Sequence, residues 1–112
     1  MPEISGQLAT ALVQRYRDRF GRGPTEAKAF ISDDHALVIL GSPQTDVERS
    51  LVAAGQVDEV ELLRRRVRQL AADDFSSVVE EIVGRKVATM LGDHSAVANT
   101  SVLVFIFERE QR

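Results

Sequence analysis

The sequence contains no cysteine and no tryptophan, and its aromatic residues are five phenylalanines and one tyrosine. The absence of cysteine excludes disulfide bonds, thiolate zinc sites and thiol nucleophiles. The longest apolar run, VLVFIF at 102–107, has only the length of a strand, whereas a membrane-spanning helix needs roughly 18–20 apolar residues. The first ten residues lack the basic and apolar regions of a secretory signal. We therefore expect a soluble, cytoplasmic protein without direct membrane insertion.

The composition also shows little excess charge of either sign. Fourteen basic and 17 acidic residues give a net charge of −3, which does not favour attraction to nucleic acid, so we expect no nucleic-acid partner. Hydrophobic residues make up 44% of the chain and charged residues 28%, as is typical of globular proteins. We predict a single domain spanning residues 1–112, with a charged tail at 109–112 that frays.

Apolar residues spaced three or four apart indicate three helices. The first is predicted over 5–20, with Ser5 as its N-cap. A second, short helix begins at a T-x-x-E capping box formed by Thr45 and Glu48. The third is predicted over 57–83 and would be a rod of roughly 40 Å at about 1.5 Å per residue.

Short apolar segments bounded by turn-forming residues indicate four strands. They are predicted at 26–32, 36–41, 86–91 and 100–108. Asp33-Asp34-His35 would connect the first hairpin, and residues 92–99 the second. The order α-β-β-α-α-β-β predicts an α+β fold. In this fold a four-stranded, mostly antiparallel sheet packs with the N-terminal helix and the long central helix.

The apolar pattern of two strands predicts a second layer over the sheet. Residues 36–40 are apolar throughout, and the last strand is apolar on both faces. A sheet with one solvated face would instead alternate apolar and polar residues. We predict a homodimer, the commonest closed assembly. Its predicted interface consists of Val102, Val104, Ile106, Leu63, Val67 and Leu70. The alternative is a compact monomer in which the long helix breaks near Asp73.

Both histidines directly follow aspartates at predicted hairpin tips. Asp34 precedes His35, and Asp93 precedes His94. If the two tips met, imidazoles and carboxylates could bind a metal ion or act as an acid–base pair. A small metal-dependent or acid–base enzyme is therefore an alternative function. The other interpretation is that these residues belong to ordinary solvated turns.

A glycine-rich segment after the first helix suggests a site for a small anion. Arg19, Arg22 and Gly23 lie in the sequence RFGRGPTE at 19–26. Glycine lets the backbone approach an anion closely, and arginine offers a planar set of donors. The spacing does not match a Walker loop. The alternative is that the glycines end the helix and Arg22 is exposed to solvent.

A run of four arginines, at 64–66 and 68, lies inside the long helix. Consecutive residues project about 100° apart around a helix, so the run does not form one binding stripe. A nucleic-acid-binding regulator is therefore the weaker alternative. No G-x-S-x-G, G-x-G-x-x-G or H-E-x-x-H motif occurs. We predict that the protein is not an enzyme and has no cofactor.

Several segments together resemble the MpsC-like bacterial family. They are Gly21-Arg22-Gly23-Pro24, the extended segment that reaches Asp33-Asp34, the passage Gly41-Ser42-Pro43 with Glu48 beyond it, FSSVVEEIVGRKV at 75–87 and the closing VFIFE at 104–108. The resemblance covers residues 4–108. The family name implies a link to a cation-translocating, membrane-potential-generating system, whose membrane subunits are associated with inorganic-carbon uptake.

The resemblance therefore implies a soluble accessory or regulatory module rather than a membrane subunit, since no segment of the chain is long enough to span a membrane. Together with the apolar strands, it predicts a homodimeric, non-enzymatic protein associated with a membrane transport system for cations or inorganic carbon. The glycine-rich segment adds the expectation that this module senses a small anion.

Overall fold

The structure is a computed structural model that describes residues 3–109. Its elements, in chain order, are α1 (Ile4–Phe20), β1 (Glu26–Ile31), β2 (His35–Gly41), α2 (Asp46–Ala53), α3 (Val57–Val83), β3 (Val87–Ser95) and β4 (Thr100–Phe107). This order confirms the predicted α+β fold. Of the tail predicted to fray, residues 110–112 lie outside the described residues.

The four strands form one antiparallel sheet in the order β1-β2-β4-β3. Each hairpin pairs two strands that are neighbours in sequence, and β2 joins β4 in the middle of the sheet. The two strands that are most apolar in sequence are therefore the two central ones, and β1 and β3 form the edges.

Helices α1 and α3 cover one face of the sheet, which we call the inner face. Side chains alternate between the two faces along a strand, and burial alternates accordingly along both central strands. The buried core consists of Leu8, Leu12, Tyr16, Ala36, Val38, Leu40, Ala71, Phe75, Val78, Val79, Leu103, Phe105 and Phe107. The opposite face, which we call the outer face, is not covered by any helix among residues 3–109.

Helix α1 begins one residue earlier than predicted. Glu3 is its N-cap residue, and no side chain caps this end. The prediction that Ser5 is the N-cap is therefore wrong, because Ser5 already lies within the first turn. At the other end Gly21 adopts φ 79°, and its N–H donates to the carbonyl of Arg17 at 2.8 Å. Glycine adopts this left-handed conformation without a steric penalty, and the helix ends there.

Helix α3 is continuous over its 27 residues, so the break considered near Asp73 does not occur. The adjacent residue Asp74 forms ion pairs with Arg15 and Arg19 of α1, and this contact holds the two helices together at that point. The domain is elongated, with principal extents of 53 × 27 × 21 Å. A continuous helix of this length is sufficient to account for most of the long dimension.

Strand β3 continues to Ser95, beyond its predicted end at residue 91. The prediction of a loop over 92–99 is therefore wrong in its first half, and only 96–99 form the turn. The strand continues because its pairing with β4 extends to Ser95 opposite Thr100. This pairing between distant strands outweighs the local preference of glycine, aspartate and serine for turns.

Candidate functional site

The outer face of the sheet is an apolar surface that the chain does not cover. Its apolar side chains are Phe30, Leu37, Ile39, Leu91, Val102, Val104 and Ile106. Phe30 is 53% exposed and Leu91 is 56% exposed, and the other five are partly buried by their neighbours. The solvated face of an antiparallel sheet is normally polar, so this continuous apolar face is unusual and is the candidate site of this domain.

The six residues predicted to form the dimer interface belong to two different surfaces. Val102, Val104 and Ile106 lie on the outer face of the sheet. The other three, Leu63, Val67 and Leu70, lie on α3, which packs on the inner face. Leu63 and Val67 line a groove of about 230 Å³ between α1, α2 and α3, and Leu70 is 67% exposed. A single flat contact therefore cannot use all six residues.

A buried ion pair between Arg64 and Glu48 connects the three helices. Arg64 Nε donates to Glu48 Oε2 and Arg64 Nη2 donates to Glu48 Oε1, each at 2.7 Å, and both side chains are 6% exposed. The guanidinium also donates to the hydroxyl of Tyr16 and, at 2.6 Å, to the carbonyl of Pro43. These hydrogen bonds compensate both buried charges, which water does not reach. Arg64 therefore holds α1, α2 and α3 in place.

Glu48 also completes the predicted capping box of α2, which the structure confirms. The backbone N–H of Thr45 donates to Glu48 Oε1 at 2.9 Å, and the backbone N–H of Glu48 donates to Thr45 Oγ1 at 3.2 Å. Burial alone would raise the pKa of the Glu48 carboxyl, but bonds from Arg64 and Thr45 outweigh burial and lower it. Burial raises the pKa of Tyr16, against the opposing charge of Arg64. Glu48 is therefore ionised and Tyr16 protonated at neutral pH.

His94 lies on the inner face and is 4% exposed. Its Nε2 accepts a hydrogen bond from the Gln44 side-chain amide at 2.9 Å, and its Nδ1 lies 2.6 Å from Ser101 Oγ. This pattern assigns a neutral ring with the proton on Nδ1. The same Gln44 amide donates to the carbonyl of Ala96 at 2.9 Å. Burial, assisted by the positive charge of Arg64, lowers the pKa of His94 to about 4.

These buried side chains include residue types found in active sites, but their polar atoms bond to one another. Among residues 3–109, no buried side-chain nitrogen or oxygen lacks a hydrogen-bond partner. The void beside Tyr16 and Arg64 has a volume of about 10 Å³, close to the space of one water molecule. An open depression of about 540 Å³ adjoins His94, yet both ring nitrogens already have partners. The arrangement is suited to holding the helices and the β3–β4 turn.

The two histidines lie far apart. His35 pairs with Ile106 and His94 pairs with Ser101, so their partners are five residues apart on β4, about 17 Å at about 3.4 Å per residue. The histidines also lie on opposite faces of the sheet, because that separation is an odd number. The condition for a shared metal or acid–base site is therefore not met. Among residues 3–109, no group of three or more histidine, aspartate or glutamate side chains is placed to hold a metal ion.

Each histidine instead contacts its neighbouring aspartate. His35 Nδ1 lies 2.7 Å from Asp34 Oδ1 and 3.1 Å from Ser32 Oγ. The hydrogen bond to His35 lowers the pKa of the Asp34 carboxyl. Asp93 Oδ1 accepts a hydrogen bond from the backbone N–H of His94 at 2.8 Å. The first pair therefore belongs to a solvated turn, as the simpler interpretation expected. That interpretation is wrong for the second pair, because Asp93 and His94 lie in β3 and the His94 side chain is buried.

The three residues predicted to bind a small anion have different environments. Arg19 donates to the carbonyl of Leu70 at 3.1 Å and pairs with Asp74 at 3.5 Å. Gly23 is buried against α1. Arg22 is exposed and lines the groove between α1, α2 and α3. Of the three residues, only Arg22 is therefore exposed without a described ionic partner among residues 3–109.

The arginine run of α3 does not form a continuous basic surface. Arg64 is buried, Arg68 is half-buried, and Arg65 and Arg66 are exposed. The aliphatic part of Arg68 packs close to Gly92 of β3. The run is therefore divided between structural contacts and solvent, which removes the support for nucleic-acid binding through it.

These features define a small α+β domain with one sheet face under helices, one uncovered apolar sheet face and an internally bonded polar core. Residues 2–109 match the family model described as the Na+-translocating membrane potential-generating system (MpsC). The chain therefore belongs to the MpsC family, and the resemblance seen in its sequence is confirmed. No match is found among the curated proteins or the solved structures. Within residues 3–109, no helix has the length and apolar character that crossing a membrane requires.

Proposed function

We propose that this chain is a non-enzymatic accessory module of a Na+-translocating, membrane-potential-generating system, and that it acts as a homodimer in the cytoplasm. The family description supports the link to such a system. The observation that carries the proposal is the apolar outer face of the sheet, which the chain leaves uncovered. An accessory protein acts through contacts with other chains, and an apolar surface of this kind is suited to such contacts.

The buried polar side chains support a binding role rather than catalysis. The Arg64–Glu48 pair and the His94–Gln44 contact satisfy each other's hydrogen bonds inside the fold. A general acid, base or nucleophile must reach the substrate at hydrogen-bond distance. Side chains that are bonded internally and buried serve stability instead.

The size of the outer face fits a modest dimer interface. Four strands at about 4.8 Å spacing and seven residues at about 3.4 Å give a flat area of about 450 Å². Two copies would then cover about 900 Å² before the relief of the side chains is counted, which is below the lower limit of about 1,200 Å² for stable interfaces. We therefore expect a dimer that dissociates on dilution.

The first test is the mass of the protein in solution, measured by light scattering over a range of concentrations. The wild-type chain is expected to approach twice the chain mass of 12.4 kDa as concentration rises. Val104→Asp places a charge in the centre of the outer face and should give a monomer. Leu63→Asp is the matched control, because Leu63 is exposed on α3, and it should still dimerise. A single-chain mass at every concentration would contradict the homodimer.

The second test concerns the membrane system. A tagged chain is expressed in its own cells, cross-linked and purified from detergent-solubilised membranes. Recovery of multi-spanning cation-translocating subunits is expected, together with a reduced Na+-dependent membrane potential in cells that lack the chain. Recovery of the chain alone, with an unchanged potential, would contradict the accessory role.

The proposal also includes binding of a small anion at Arg22, which is exposed beside the groove between α1, α2 and α3. Bicarbonate or phosphate should raise the melting temperature of the wild-type chain. Arg22→Ala should abolish this effect, while Arg17→Ala, at another exposed arginine, should preserve it. If neither anion stabilises the wild-type chain, anion binding is excluded and the accessory role is unaffected.

A further inference from the structure

Two opposite charges lie in one row across the outer face. Lys28 on β1 pairs with Ile39, Ile39 pairs with Val102, and Val102 pairs with Asp93 on β3. A cation therefore stands at one edge of the row, an anion at the other, and two apolar residues lie between them. Three strand spacings of about 4.8 Å place the two charged residues about 14 Å apart, so they cannot pair with each other within one chain.

The two charges differ in how far their own chain compensates them. Among residues 3–109, no ion pair includes Lys28 or Asp93. Asp93 accepts a hydrogen bond from the backbone of His94, and it attracts the Arg68 guanidinium from the α3 side. Lys28 is exposed. Two charges at opposite ends of an apolar row can select one orientation of a partner.

We propose that a second copy of this chain covers the outer face, related to the first by a two-fold axis parallel to the strands. Lys28 of each copy then forms an ion pair with the partner's Asp93. This inference rests on the homodimer of the proposed function and defines its geometry.

The pairing follows from the symmetry. The two-fold axis lies between the two sheets and runs along the strands. Rotation about it keeps each row of residues at the same position along the strand direction and exchanges the β1 edge with the β3 edge. Strand β1 then lies over the partner's β3, so that Lys28 faces the partner's Asp93. In the neighbouring row Phe30 faces the partner's Leu91. Packed sheets are about 10 Å apart, a gap that the long lysine side chain and a carboxylate can bridge together.

The other symmetric arrangement does not match the charges. An axis between the sheets but perpendicular to the strands places β1 over the partner's β1. With the axis at the centre of the face Lys28 would face the partner's Phe30, and with the axis at its own row it would face the partner's Lys28; neither contact compensates the charge. An axis between the rows of Glu26 and Lys28 would pair these two residues, but it would place Asp93 over the partner's Ser95 and cover only two of the four outer-face rows. The parallel axis is therefore the arrangement that this face favours.

Charge reversal tests this geometry through the dissociation constant of the dimer. Lys28→Asp and Asp93→Lys each create two repulsive contacts per dimer, and each should weaken dimerisation at least tenfold. The double variant Lys28→Asp/Asp93→Lys restores both attractive contacts and should return to within about threefold of wild type. Lys86→Asp is the control, because Lys86 is exposed and lies outside the row, and it should change dimerisation less than threefold.

Cysteine cross-linking provides an independent measurement, since the chain has no cysteine of its own. A thiol cross-linker shorter than the about 14 Å between the two sites in one chain should join two copies of Lys28→Cys/Asp93→Cys. It should leave Lys28→Cys alone uncoupled. This result, with rescue by the double charge reversal, would support the parallel axis.

Two other results would overturn the proposal in different ways. Efficient cross-linking of Lys28→Cys alone, in a dimer that single charge reversals do not weaken, would refute the parallel axis and leave the homodimer intact. A wild-type chain that remains monomeric at all concentrations would refute the homodimer and this geometry together.

Discussion

The two faces of the same sheet carry similar residues in different environments. On β4, Phe105 points to the inner face and is fully buried, whereas Val104 and Ile106 on either side of it point to the outer face and remain partly exposed. The helices of the chain complete the inner face and leave the outer face open. The comparison shows that the apolar pattern of a strand can exceed what its own chain buries, and this excess is the basis of the proposed dimer.

The two faces should differ most in the free energy of unfolding that is lost when a side chain is truncated to alanine. Phe105→Ala should lower the free energy of unfolding by about 4 kcal/mol, because a fully buried ring leaves a cavity in the core. Ile106→Ala, measured in urea at concentrations that keep the chain monomeric, should cost only about 1 kcal/mol. Equal costs for the two variants would mean that the outer face is as well packed within one chain as the inner face.

The stability of the domain should also be sensitive to substitution of the buried Arg64–Glu48 ion pair. Arg64→Ala is expected to cost about 3 kcal/mol, because it leaves the Glu48 carboxylate buried without its cation. The double variant Arg64→Met/Glu48→Leu should recover much of this loss, since it removes both charges. Arg66→Ala, at an exposed position of the same helix, should stay within about 0.5 kcal/mol of wild type in urea unfolding. A small effect of Arg64→Ala would show that the ion pair contributes little.

The buried histidine predicts how stability depends on pH. The folded pKa of His94 is about 4 and its ordinary value is 6.5, so the unfolded chain binds more protons between these two values. Stability should therefore be complete above pH 6.5 and decrease by about 2–3 kcal/mol as the pH falls to 4. The lowered pKa of the Glu48 carboxyl adds a further loss of stability only as the pH falls below its ordinary value of 4.5.

Urea unfolding at several pH values measures how the free energy of unfolding changes with pH. His94→Gln should flatten the dependence between pH 6.5 and 4, although it also lowers stability overall. Gln69→Ala is the control, because Gln69 is exposed on α3 and carries no titratable group, and it should leave the pH dependence unchanged. An equally steep slope in His94→Gln would assign the pH dependence to other groups.

The elements and the class of the fold follow from local patterns in the sequence. The i, i+4 series Leu8, Leu12 and Tyr16 predicts the buried stripe of α1, and the Thr45–Glu48 capping box predicts the start of α2. These features depend on residues that are close in sequence, so local reasoning finds them.

Features that depend on distant contacts were missed. Arg64 lies four residues after the buried Val60, which places it on the buried side of α3, whereas the local sequence shows it only as one member of a basic run. Its partner Glu48 belongs to another helix, and nothing in the spacing of the sequence identifies that pair. The distance between His35 and His94 depends on strand order, which the hairpins alone do not determine.

The smallest expected effect compares two glycines on the two faces. A Cβ at Gly92, on the inner face, would lie 2.6 Å from the Val102 carbonyl oxygen and 2.8 Å from Arg68 Cδ. A Cβ at Gly41, on the outer face, would lie 2.6 Å from Glu26 Cγ. The Val102 carbonyl is fixed in the sheet, whereas the exposed Glu26 side chain can rotate away.

Gly92→Ala should therefore cost about 1–2 kcal/mol in urea unfolding, because the backbone must shift. Gly41→Ala should stay within about 0.5 kcal/mol of wild type, since the steric conflict is relieved and alanine loses less conformational freedom than glycine on folding. If Gly41→Ala were the more costly of the two, the Glu26 side chain would have to be fixed on the outer face. In that case part of the outer face would be ordered within a single chain, and the contrast between the two faces would be smaller than the exposed fractions indicate.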